Sequence, residues 1–79
     1  MRLNVKFFAS LSEQTGLTET AVDAESGATV LDVWNLATGH QAMPVNTLCA
    51  INMSYARLED SASDGDEIAF FPPVTGGST

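Results

Sequence analysis

The chain is poor in the residues that most often carry chemistry. It has one cysteine, Cys49, and one histidine, His40, among 79 residues. A single cysteine cannot close an internal disulfide, and Cys49 and His40 lack the companions and spacing of a metal site. Basic residues are as scarce: Arg2, Lys6 and Arg57 stand against ten carboxylates, for a net charge of −7. Three cations that form no cluster in sequence argue against nucleic-acid binding and against an anionic membrane surface, while the acidic excess favours a basic protein partner. No stretch approaches the ~20 apolar residues of a membrane span, and residues 1–9 read as a charge-bearing strand rather than a signal peptide. The cytoplasm is the expected compartment. The only Gly-Gly pair, Gly76-Gly77, opens no helix, so a glycine-rich phosphate cradle is missing too.

What is present is a folding composition. Hydrophobic residues make up 44 % and charged residues 16 %, which sets the chain apart from disordered sequences of similar net charge. Its length suits one domain that buries about three fifths of its surface, enough for one core and too little for a deep catalytic cavity.

Residues 3–8 begin with alternation: Leu3, Val5 and Phe7 share one face, Asn4 and Lys6 the other, and Phe8 adds an aromatic to the second face. Ser10-Leu-Ser-Glu13 reads as a capping box that opens a short helix, with Gly16 placed to end it. Residues 19–24 read as a strand with Thr20 and Val22 on one side, followed by a turn at Glu25-Ser-Gly27. Thr29-Val-Leu-Asp32 is a second capping box. The helix it opens carries Val30, Val33, Trp34 and Ala37 as one apolar stripe and ends at Gly39, with Pro44 in the loop beyond. Residues 47–53 form a nearly continuous apolar run, as expected of an interior strand covered on both sides or nearly so. Residues 54–58 read as a short edge strand carrying Tyr55 and Arg57, and Asp64-Gly65-Asp66 is a turn. Residues 67–71 resume as a strand, stopped by Pro72 and Pro73. The order β-α-β-α-β-β-β with one good amphipathic helix predicts an α+β roll of the ubiquitin type, a small mixed sheet with the helix on one face. The expected division is a domain over residues 1–73 and a mobile tail over 74–79.

Side chains suited to catalysis are better explained structurally. Glu13 and Asp32 fit as capping residues, Asp64 and Asp66 as turn residues, and His40 as a helix C-terminal cap. Cys49 sits in an apolar run, where a thiol packs as a small hydrophobe, and Trp34 belongs to the core. Residues 64–77, Asp-Gly-Asp-Glu-Ile-Ala-Phe-Phe-Pro-Pro-Val-Thr-Gly-Gly, are different. Paired prolines stiffen the exit from a strand, and two glycines then form a thread narrow enough for a tight channel. Such an end suits a reacting main-chain carboxyl, since no side chain blocks access to it; a frayed glycine-rich terminus is the competing reading.

This segment resembles the C-terminus of the small subunits of molybdopterin synthase, sulfur-carrier proteins with the ubiquitin-like β-grasp fold. The likeness extends more loosely to Val5-Lys6-Phe7-Phe8-Ala9 and Ala50-Ile51-Asn52. The resemblance implies a carrier with no catalytic side chains and no bound cofactor or metal. ATP is used by an adenylating, sulfurating partner enzyme, and the large synthase subunit receives the loaded tail. It implies that Gly77 bears the adenylate and then the thiocarboxylate, with Gly76 giving clearance. Val74 and Thr75 would line the threaded segment, and Phe71, Pro72 and Pro73, with Phe8, would contribute to docking. Alternatives are a ubiquitin-like protein modifier, a sulfur carrier of another pathway, and a module whose tail only docks. Unlike the family pattern, Gly77 here is followed by Ser78 and Thr79. Removal by a protease, addition during preparation of the chain, and loss of carrier chemistry each account for the two extra residues.

Overall fold

The computed structural model describes residues 1–73. The elements run β1 (Arg2–Phe7), α1 (Ser10–Thr15), β2 (Glu19–Asp23), α2 (Val30–Thr38), β3 (Leu48–Ile51), β4 (Ser54–Ala56) and β5 (Glu67–Phe71). The strands form one sheet in the order β2-β1-β5-β3-β4. β1 and β5 are parallel at its centre, and every other neighbouring pair is antiparallel. A mixed sheet of this kind with α2 across one face is the expected α+β, ubiquitin-like β-grasp arrangement.

The alternation in β1 does what it predicts. Leu3, Val5 and Phe7 are buried, and Val5 and Phe7 stand in register with the buried Ile68 and Phe70 of β5. α2 lays Val30, Val33 and Trp34 onto this face, all fully buried, with Ala37 packed at the margin. The Trp34 indole meets Phe7 edge-on at 5.7 Å and Phe70 at 5.0 Å, and its Nε1 donates to the Gln41 carbonyl at 2.8 Å. Leu11, Ala24, Cys49 and Ala62 complete the core.

The start of α2 is the capping box read from the sequence. Thr29 Oγ1 accepts from the Asp32 amide at 3.2 Å, and Asp32 Oδ2 accepts from the Thr29 amide at 3.0 Å. Gly39 ends the helix at φ 69°, and the His40 backbone amide donates to Asn35 O at 3.0 Å. His40 therefore caps through its main chain.

The same pattern at Ser10 does not form a box. Ala9, at φ 54°, is the N-cap, without a side-chain cap bond. The turn it makes lets main-chain carbonyls take the first amides: Leu11 N–H donates to Phe8 O at 3.1 Å and Ser12 N–H to Ala9 O at 3.0 Å. Ser10 is thereby drawn inside the first turn, and Glu13 has no cap to answer. Gly16 ends α1 as expected, at φ 76°.

The run over residues 47–53 also differs from expectation. β3 is shorter, and only one of its faces meets the helix layer: Cys49 and Ile51 pair with Phe70 and Ile68 there. Ala50 looks the other way and is hidden by neighbouring side chains rather than by a second layer.

Candidate docking face and the root of the tail

Because side chains alternate along a strand, the face of the sheet away from α2 carries Lys6, Ala50, Tyr55, Ala69 and Phe71. Register places Ala50 beside both Ala69 and Tyr55. Two adjacent alanines make a low floor, and larger residues rise around it. The result is an apolar groove of about 330 Å³ lined by Phe8, Ala50, Met53, Tyr55, Glu67, Ala69 and Phe71. Phe8 is 48 % exposed, Tyr55 77 % and Met53 90 %, so this surface offers large apolar groups to a partner. Tyr55 and Phe71 lean together with ring centroids 5.9 Å apart.

The groove is braced at one end. Asn52 N–H donates to Glu67 O at 2.8 Å, and Glu67 N–H donates to Asn52 Oδ1 at 3.0 Å. Asn52 Nδ2 donates to Asp66 Oδ1 at 2.9 Å, while Asp66 Oδ2 accepts from Ser63 N–H at 2.8 Å. Lys6 Nζ lies 3.6 Å from Glu67 Oε2, a half-exposed pair on this face. Asp64 and Asp66 act as turn residues, Asp64 Oδ1 accepting from Arg2 N–H at 2.8 Å. A larger depression of about 420 Å³, which includes Glu25, Asp32, Asn35, Leu36 and His40, runs along α2. It is more polar and lies in the other layer, away from the strand that leads to the tail, so the groove on the sheet is the better candidate.

Of the residues predicted for partner binding, Phe8 and Phe71 line the groove. Pro72 and Pro73 follow Phe71, half-buried, and do not line it. Val74, Thr75, Gly76 and Gly77, and the expected mobility of residues 74–79, lie outside the described residues. Sequence reasoning missed Ala50, Met53, Tyr55 and Ala69 as parts of one surface. Their signal was register, which single-strand patterns do not carry.

No group of three metal-ligating side chains exists among the described residues. Cys49 is buried, and its Sγ donates to Ala56 O at 3.2 Å. Burial pushes its thiol above the ordinary value, with the negative charges of Asp60 and Glu59 adding to the effect. Both effects disfavour the thiolate, the nucleophilic form of a cysteine. Among the described residues, no helix is long and apolar enough to cross a membrane.

Sheet order, helix placement and an open apolar face beside the last strand define a ubiquitin-like β-grasp protein. The chain belongs to the ThiS family, whose model matches residues 5–77. It is 42 % identical to the molybdopterin synthase sulfur carrier subunit of Haemophilus influenzae, with 95 % of this chain and 99 % of that protein covered. The subunit of the same name from Escherichia coli is 36 % identical with the same coverage. Among solved structures, small archaeal modifier protein SAMP1 from Haloferax volcanii superposes with a TM-score of 0.82 at 29 % identity, covering 98 % of this chain and all of that one. A chain in the complex of subunits 1 and 2 of molybdopterin-converting factor from Helicobacter pylori gives a TM-score of 0.65 at 22 % identity, covering 98 % of this chain and 100 % of that one. That last likeness concerns the fold.

Proposed function

We propose that this chain is the sulfur carrier of a molybdopterin synthase, delivering sulfur as a thiocarboxylate on Gly77. One observation carries the reading: the strand that supplies Phe71 to the apolar groove continues in sequence as Pro72-Pro73-Val74-Thr75-Gly76-Gly77. Docking surface and reacting end thus belong to one stretch of chain. The carrier subunits of Haemophilus influenzae and Escherichia coli support the same assignment by name.

The chemistry asks little of the carrier. A partner enzyme uses ATP to join AMP to the Gly77 carboxylate, releasing diphosphate. A sulfur donor then displaces AMP and leaves the thiocarboxylate. The large synthase subunit binds the groove and takes up the tail, where Val74 and Thr75 line the thread and Gly76 leaves room beside the reacting carbonyl. The carrier contributes a carbonyl, and activation is the partner's work. In the present sequence the Gly77 carbonyl is in a peptide bond to Ser78, so that bond must be hydrolysed before loading.

The test is to incubate two forms, one ending at Gly77 and one continuing through Thr79, with an activating enzyme, ATP and a sulfur donor. Intact mass then reads the product. The trimmed form should acquire a thiocarboxylate, and the longer form should not. Loading of the longer form without cleavage would remove Gly77 as the reacting position, and loading of neither would remove the carrier reading. The likeness to SAMP1 favours a second reading, a protein modifier joined through the same glycine to lysines of other proteins. Covalent conjugates in place of thiocarboxylate would establish it.

A further inference from the structure

The β3–β4 hairpin turns in two residues, Asn52 and Met53, between the paired Ile51 and Ser54. Both have positive φ, 50° and 70°. The tight hairpin turn with this requirement favours Asn followed by Gly. Asn52 suits its place, and its side chain is held by Glu67 and Asp66. Met53 suits its place poorly, because a left-handed conformation brings its Cβ against the backbone and glycine has no such conflict. Burial does not compensate: at 90 % exposed, Met53 is the most exposed large apolar residue among those described. What the strained position achieves is a thioether at the rim of the groove, beside Tyr55 and Phe71.

The other sulfur atoms are withdrawn. Met1 and Met43 pack partly buried against the core, and Cys49 lies within it. Met53 is therefore the sulfur that a dissolved oxidant meets first. Its surroundings also make its oxidation consequential. The side chains lining the groove are apolar apart from the Tyr55 hydroxyl and the Glu67 carboxylate. A methionine docks there as a soft, adaptable apolar group, whereas a sulfoxide brings a polar oxygen that must lose its water on docking.

We propose that Met53 is an oxidation-controlled docking anchor, engaging the partner as the thioether and releasing it as the sulfoxide. The oxidant is hydrogen peroxide. The Met53 sulfur attacks the terminal peroxide oxygen, an S–O bond forms as the O–O bond breaks, and the second oxygen leaves as water. The sulfur loses two electrons and the peroxide gains them; a methionine sulfoxide reductase drawing on thiols reverses the step. The inference rests on the groove being the docking face for the large synthase subunit, and the experiment separates the two.

Hydrogen peroxide is added to the full chain, and peptide mass mapping follows oxidation at each methionine. Met53 should react ahead of Met1 and Met43, and equal rates would overturn the proposal. Affinity for the large subunit is then measured by calorimetry before peroxide, after it, and after enzymatic reduction. Oxidation should weaken binding about tenfold, equivalent to ~1.4 kcal/mol, and reduction should restore it. Met53→Leu should show the same affinity before and after peroxide, because leucine has no sulfur to oxidise. If Met53→Leu loses affinity to peroxide as the unchanged chain does, another site is responsible and the proposal fails. Phe71→Asp tests the face itself. If it binds normally, the groove is not the docking face, and both readings fall. If it abolishes binding while the oxidised chain still binds within about twofold, Met53 alone is overturned.

Discussion

Removing the indole of Trp34 tests the packing account most directly. The side chain is fully buried, touches Phe7 and Phe70 edge-on at 5.7 and 5.0 Å, and ties residue 41 to the helix through a 2.8 Å bond to the Gln41 carbonyl. Trp34→Ala loses this packing and leaves a cavity, at a cost of about 3–5 kcal/mol. A domain of this length has roughly 4–12 kcal/mol of stability in total. At about 4–8 °C per kcal/mol for so small a domain, Tm should fall by roughly 12–40 °C. Far-UV circular dichroism with heat and urea is the assay, because the variant has no other tryptophan to report. Trp34→Phe keeps a ring but abandons the Gln41 carbonyl, and it should lose about 1.5–3 kcal/mol. A Tm for Trp34→Ala within about 5 °C of the parent would refute the assignment of this indole as the centre of the core.

Thr29→Ala should cost about 1 kcal/mol in urea unfolding, whereas Ser10→Ala, which removes no cap bond, should be nearly silent; equal costs would contradict the contrast between the two helix starts. Cys49 in the folded chain holds its proton more tightly than in the unfolded chain. Its contribution to stability is therefore full at neutral pH and declines as pH rises above about 8.5. The urea midpoint should fall between about pH 8 and 9.5 with a slope that Cys49→Ala reduces, and iodoacetamide should react slowly until urea is added. With a net charge of −7, association with a basic partner surface should slow as salt rises past about 0.1 M, where the screening length is near 10 Å; a rate constant flat across stopped-flow measurements in rising salt would count against electrostatic steering.

Features legible in the sequence are those decided within one element. Leu3, Val5 and Phe7 alternate because β1 has one buried face. Val30, Val33 and Trp34 cluster because α2 has one, and Thr29 with Asp32 closes its own cap. Ser10 and Glu13 carry the same local signal, yet β1 overrides it. The Phe8 amide donates to Phe70 O at 3.1 Å, extending the contact with β5 up to the positive-φ turn at Ala9. That is tertiary information. The apolar groove was hidden for a related reason: Ala50, Tyr55 and Ala69 come from three strands and meet only once register is set. Phe71 and Phe8 were named through the likeness of the tail segment and its loose counterpart near the start, and the structure places both at one groove.

Two Phe-Phe pairs show how one sheet divides its labour. In Phe7-Phe8 and Phe70-Phe71 the first ring of each pair is buried against Trp34, and the second lines the groove. A shift of one residue in either strand would exchange core for groove, since successive side chains point to opposite faces. Neighbouring substitutions should therefore have different consequences. Phe70→Ala opens a cavity at a fully buried site and should cost about 3–5 kcal/mol of stability. Phe71→Ala loses a half-buried ring and its lean against Tyr55, worth about 1 kcal/mol, and should leave a folded chain with weakened partner binding. Urea unfolding and calorimetry against the large synthase subunit separate the two effects. If Phe71→Ala unfolds as readily as Phe70→Ala, the groove belongs to the core. If it keeps both its stability and its affinity, the ring has no part in docking. A loss of binding in the folded Phe71 variant is the one result that gives this face of the sheet its purpose.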